Sequence, residues 1–171
     1  MTAHANTAEK TTESKTKTFA RGRELVLERV IEAPRETLFK AWTDPELMKQ
    51  WFVPKPWSLS RVESDVRAGG ASLIVMRSPE GQEFPNKGVY LEVVPNERIV
   101  FTDAFTSAWV PSAKPFMVGT IQLDDLGNGK TRYTATVLHW TAEDREAHEK
   151  MGFHEGWGQC TDQLAALAAK L

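Results

Sequence analysis

The stretch FHEGWGQCTDQLAALAAKL, residues 153–171, places its large apolar side chains at Phe153, Trp157, Cys160, Leu164, Leu167 and Leu171. Offsets of four, three, four, three and four trace one stripe along a helix. Upstream, Thr141 with Glu143 and Asp144 has the chemistry of a helix start, and Ala147 and Met151 mark one face. That face runs out of phase beyond Gly152. The spacing therefore predicts a short helix to about residue 151, a bend at Gly152, and a long terminal helix. Gly156 and Gly158 flank Trp157, and each costs about 1 kcal/mol of helix propensity against alanine. Close approach of helix to sheet, or room beside the helix for another group, would explain that cost. On this reading Gly156→Leu overpacks the contact, destabilises the fold and weakens ligand binding.

Ahead of these helices the sequence reads as strands. RELVLERVIE, residues 23–32, alternates Leu25, Leu27 and Ile31 with Glu24, Glu28 and Glu32, the period of a half-buried strand. Arg29 falls on its apolar side. Pro34 opens a helical segment with Leu38, Phe39 and Trp42 at helical spacing. Thr43 or Asp44 then caps a second short helix starting at Pro45, with Leu47, Met48 and Trp51 on its buried side. From Trp57 onward, strands are predicted near 57–66, 71–78, 84–94, 97–106, 115–124 and 130–140. Turn residues such as Gly69-Gly70, Pro95-Asn96 and Gly127-Asn128-Gly129 separate them. The short connections imply antiparallel order, because parallel neighbours need longer crossovers.

The chain has 171 residues, 41% hydrophobic and 26% charged, which is the make-up of one globular domain. Residues 1–22 are expected to be a disordered tail and 23–171 a single domain, since Phe19 is the first large apolar side chain. The tail has no apolar core of the kind a signal peptide needs. A net charge of −2 gives no global basic field, so nucleic-acid binding is disfavoured. No apolar run approaches the roughly 20 residues that span a bilayer, so no membrane insertion is expected. The single cysteine, Cys160, excludes an internal disulfide. A cytoplasmic location is expected.

In order and in wording, the elements resemble the helix-grip fold of the START-like (SRPBCC) superfamily. The chain is most similar to the family homologous to the C-terminal domain of activators of the ninety-kilodalton heat-shock chaperone's ATPase. The matching runs are Arg29-Val30-Ile31-Glu32-Ala33-Pro34-Arg35-Glu36, Ala41-Trp42-Thr43-Asp44-Pro45-Glu46 and Trp51. They continue through Gly88–Pro95 and Glu97–Thr102 to Gly156-Trp157 with Leu164. The resemblance spans roughly residues 23–170. It implies an α+β fold: a curved seven-stranded antiparallel sheet around a long C-terminal helix, with two short helices between strands 1 and 2. It also implies a function among those of the relatives, which include hydrophobic-ligand binders, polyketide cyclases, toxin-sequestering proteins and co-chaperone domains. No invariant catalytic motif comes with it.

A stripe of Phe, Trp and Leu is ordinarily core, but the grip architecture assigns its N-terminal half to a cavity between sheet and terminal helix. Phe153 and Trp157 are therefore candidate ligand-binding residues. Trp51, Trp57, Trp109 and Phe116, near loops at strand ends, join them. Arg29 and Asp103 sit on apolar strand faces, Asp103 alongside Ile99, Phe101 and Phe105. Each is either a structural pair or a polar contact that orients an apolar ligand, with Arg29 suited to an oxyanion. Phe105 completes the candidate set. No metal site is expected: His148 and His154 lie about 240° apart around a helix. No cofactor is implied. His139 and His154 are acid–base candidates only where they reach the cavity. The expected function is binding of a small hydrophobic or aromatic ligand. The alternatives are a cyclase-like enzyme using Arg29, Asp103, His139 or His154, and a co-chaperone module. A chaperone or a second copy of the chain is the expected protein partner.

Overall fold

A computed structural model describes residues 16–171. The elements run β1 (Lys17–Arg21), β2 (Glu24–Ile31), α1 (Arg35–Thr43), α2 (Pro45–Met48), β3 (Ser58–Ser64), β4 (Ala71–Arg77) and β5 (Glu83–Val94). They continue through β6 (Arg98–Thr102), β7 (Phe105–Ser107), β8 (Val110–Pro111), β9 (Val118–Gly127), β10 (Lys130–Leu138), α3 (Ala142–Lys150) and α4 (Phe153–Ala168). One antiparallel sheet runs in the order β1-β2-β10-β9-β6-β5-β4-β3, and β7–β8 form a separate two-stranded hairpin.

The α+β helix-grip architecture is as expected, with two short helices following β2 and a long terminal helix. The main sheet has eight strands, one more than the seven expected. The extra strand is β1, which lies within the stretch assigned to a tail and pairs Thr18 with Leu27 and Phe19 with Val26. A hairpin through Gly22 (φ +57°) brings β1 onto β2. Pairing with an existing edge orders a segment that has few apolar side chains of its own. The rest of the expected tail, residues 1–15, lies outside the described residues. The β7–β8 hairpin occupies the segment read as a loop.

Local chemistry fixes the helix boundaries. Asp44 caps α2: its Oδ1 accepts from the backbone N–H of Glu46 at 2.9 Å and of Leu47 at 3.4 Å. Thr141 Oγ1 accepts from the N–H of Asp144 at 3.0 Å to start α3. Gly152 makes the predicted bend at φ +99°, a conformation that side-chain-bearing residues rarely adopt.

Core rows cross the sheet in register. Ile99, Ile121, Ala135 and Leu27 face one another across β6, β9, β10 and β2, all at most 1% exposed. The terminal helix packs on β1, β2 and α1. Phe153 and Leu164 are buried, Trp157, Cys160 and Leu167 are partly buried, and Leu171 lies beyond the helix in solvent.

Gly156 departs from expectation. A Cβ at this position meets no atom within 4 Å, so the helix does not approach the sheet through bared backbone there. Overpacking is absent and propensity alone decides the sign. Gly156→Ala is expected to stabilise the protein by just under about 1 kcal/mol, read as a rise in the denaturant midpoint. A fall would restore the close-approach reading.

Candidate functional site

A small cavity of about 60 Å³ lies between the two short helices and the β4–β5–β6 part of the sheet. Trp42 of α1, Met48 of α2 and Phe52 just beyond it form the roof. Ser72 and Ile74 of β4, Gly88, Val89 and Tyr90 of β5, and Phe101 and Thr102 of β6 form the floor. Side-chain size accounts for the hole. Ser64, Ser72 and Gly88 pair in register across β3, β4 and β5, a row of small residues beneath bulky helix side chains. Gly88 is also obligate, because a Cβ there would stand 2.6 Å from the carbonyl oxygen of Thr102.

Trp42 is held rigidly. Its Nε1 donates to Tyr133 Oη at 3.1 Å, and its ring packs on Trp51, Phe52 and Phe101 with centroids 5.0, 5.7 and 5.8 Å away. Tyr90 is the ionisable group on the cavity wall. Burial raises its phenol pKa above the ordinary value, with the Ser64 hydroxyl acting the other way. It stays neutral in the physiological range and can donate a hydrogen bond. A wider depression of about 560 Å³, bounded by Glu63, Asp65, Lys87, Thr106 and Ser107, lies on the opposite face of the same strands, where Glu63, Leu73 and Lys87 pair in register. It is more open and more polar than the cavity, whereas a small-molecule site is concave and mostly apolar. The cavity is the better candidate.

None of the nine residues proposed from sequence lines this cavity. Arg29, its side chain 15% exposed, forms an ion pair with Asp162 of α4 and donates to Thr16 Oγ1 at 3.3 Å. Asp103 Oδ1 accepts from the backbone N–H groups of Phe116 at 2.8 Å and Met117 at 3.0 Å, closing the base of the β7–β8 excursion. Trp51 is buried, its Nε1 donating to Ala41 O at 3.0 Å. Trp57 packs on Phe84 at the surface, and Trp109, 73% exposed, on Phe105. Phe153 stacks with Trp157 at 5.2 Å within the helix–sheet core. This cavity lies under the short helices and not under the terminal helix, where the sequence reading put the site. The terminal helix is tied down by Gln163, whose Nε2 donates to Trp51 O and Val53 O at 2.9 and 2.8 Å.

Sequence reasoning did not single out Trp42, Tyr90 or Phe101 as site residues. The signal that was available is the Ser72/Gly88 pair, two small residues on neighbouring strands among large ones.

The histidines named as acid–base candidates also sit away from the cavity. His154 lies between Thr18 Oγ1 (2.7 Å) and Glu149 Oε2 (2.6 Å), and Arg145 donates to the other Glu149 oxygen at 2.7 Å. The His154 hydrogen bond, with the Arg145 guanidinium helping, holds the Glu149 carboxyl below its ordinary pKa. His139 is buried. Its Nδ1 lies 2.9 Å from the carbonyl of Arg23, which can only accept, so Nδ1 carries the proton. Its Nε2 is then the acceptor for His148 Nδ1, also at 2.9 Å, and Phe116 lies against both rings. Among the described residues no group of three or more His, Cys, Asp or Glu is placed to hold a metal, and no helix is long and apolar enough to cross a membrane. Cys160 is no activated nucleophile, its thiol pushed up to about 12 by burial.

Residues 32–169 match the family described as Activator of Hsp90 ATPase homolog 1-like protein. The chain belongs to this family. A crystal structure from Nitrosomonas europaea shares 41% identity over 89% of this chain and 97% of its own, with a TM-score of 0.84. One from Chromobacterium violaceum shares 31% over 84% and 96%, with a TM-score of 0.69. At 21% identity, a Rhodobacter sphaeroides protein shares the fold over 92% of this chain and 99% of its own, with a TM-score of 0.79. No curated protein matches. Family membership supports a ligand-binding or co-chaperone-like module.

The His139–His148 pair makes acid stability a test of this geometry. Burial, then the neighbouring His139, lowers the His148 pKa from 6.5 to about 4. The unfolded chain takes up this proton first as pH falls. Stability from this group is complete above pH 6.5 and drains away between 6.5 and 4, by on the order of 3 kcal/mol. Urea midpoints measured across that window should drop less in His148→Gln than in the parent protein. Equal slopes would contradict a buried, neutral His148.

Proposed function

We propose that the protein binds a small apolar molecule, or the short alkyl end of an amphipathic one, in the cavity beneath α1 and α2. The observation that supports this is a hole walled by Trp42, Phe52, Phe101, Met48 and Ile74, with the neutral Tyr90 hydroxyl and Ser72 at its polar edge. At about 60 Å³ it is smaller than the roughly 150 Å³ cavity that accepts benzene. A methyl-sized or short alkyl group suits it, with the Tyr90 and Ser72 hydroxyls beside any polar remainder. Aromatic walls supply dispersion contacts without charge, and one donor fixes orientation.

The family description favours a second reading, a module that binds the heat-shock chaperone and alters its ATPase turnover. Unchanged chaperone turnover on adding the protein would remove it.

Titration with short-chain alcohols and 4-alkylphenols, followed by tryptophan fluorescence, tests the first reading because Trp42 is part of the wall. Ser72→Leu places a side chain in the hole. It is expected to weaken binding at least about tenfold while avoiding the roughly 1–3 kcal/mol loss that overpacking a filled core brings. Undiminished binding in that variant would place the ligand elsewhere.

A further inference from the structure

Phe101 and Gly119 face each other in register on β6 and β9, and their row continues to Tyr90 on β5 and Val137 on β10. Gly119 is therefore a gap in an otherwise large-residue row on the inner face of the sheet. The Phe101 ring fills that gap. An ideal Cβ on Gly119 would lie 2.4 Å from Phe101 Cζ and 2.6 and 2.9 Å from the two Cε atoms, so the ring tip rests on bare glycine backbone. Gly119 itself is buried, and its φ lies outside the left-handed region, so turn geometry does not account for this glycine.

The direction of the lean matters. In the sheet order, β9 lies on one side of β6, and β5 and β4 lie on the other. By reaching over β9, the ring stays clear of the space above Gly88 and Ser72, where the cavity is. With a methyl group at 119 the ring cannot keep its place. Backbone closes the sheet side, and the tilted Trp42 ring, 33° from the Phe101 plane, closes the helix side. The open volume within reach is the cavity.

Building on the ligand-binding reading, we infer that the Phe101–Gly119 pair sets the size of ligand the cavity admits. Phe101 is the adjustable wall and Gly119 the seat that holds it back. Truncating the ring extends the cavity toward β9. Filling the seat closes the cavity.

The experiment compares affinities for a 4-alkylphenol series in the full chain, Gly119→Ala, Phe101→Ala and the double variant, with a crystal structure of each. Gly119→Ala should show the ring displaced toward β5 and at least about tenfold weaker binding of every member. Phe101→Ala should shift the optimum to longer alkyl chains. The double variant relieves the clash and should share that shift, which keeps the test open if Gly119→Ala folds poorly. A parent protein that binds no member overturns the ligand-binding reading. A parent that binds, with an unchanged size preference in Phe101→Ala and the double variant, overturns this inference alone. An undisplaced ring with unchanged affinities in Gly119→Ala overturns it as well.

Discussion

The indole of Trp42 reaches from α1 to the middle of the sheet and donates to the hydroxyl of Tyr133 on β10. Both residues are buried, at 5% and 1% exposure, so neither polar atom has water as an alternative. Such a bond contributes only about 1 kcal/mol net, yet leaving either partner unsatisfied costs about 1–3 kcal/mol. The asymmetry makes it a positional constraint. It sets the depth of α1, and with it the stacking of Trp51, Phe52 and Phe101 around the same ring. Burial pushes the Tyr133 phenol well above its ordinary pKa, so the acceptor stays neutral. The cavity is the space left when that roof is fixed and the floor beneath it carries serine and glycine.

Two halves of the sheet do different work. Over β1, β2 and β10, the terminal helices are clamped by polar contacts: Arg29 to Asp162, Thr18 through His154 to Glu149, and the His139–His148 pair. Over β4, β5 and β6, the cover is two short helices joined by contacts of aromatic rings. The first half locks the fold. The second keeps a space whose walls are apolar and whose size depends on ring placement.

The fold was legible because its signals are local. Periodicity gave the terminal stripe, Gly152 its bend, Asp44 and Thr141 their caps, and the Gly127–Gly129 turn its hairpin. Strand β1 escaped because its stability comes from pairing with β2, which no pattern within Lys17–Arg21 encodes. The site was less legible. Reading Trp157 as pocket rested on the grip architecture of the resembled fold, and the close approach read at Gly156 is not made, since a Cβ there meets no atom within 4 Å. Arg29 and Asp103 were recognised as anomalies on apolar faces, but their partners, Asp162 and the backbone at 116–117, are distant in sequence. The cavity under the short helices depends on cross-strand register, which places Ser72 beside Gly88 and Phe101 over Gly119. Register is a tertiary fact.

The central claim is where an apolar ligand sits. Methyl-resolved NMR of the protein with a bound 4-alkylphenol measures this directly, through intermolecular contacts to assigned methyl groups. The account predicts contacts to the methyls of Met48 and Ile74, which line the cavity. Contacts instead to Leu164 and Leu167 on the terminal helix would contradict it and return the binding site to the helix–sheet core.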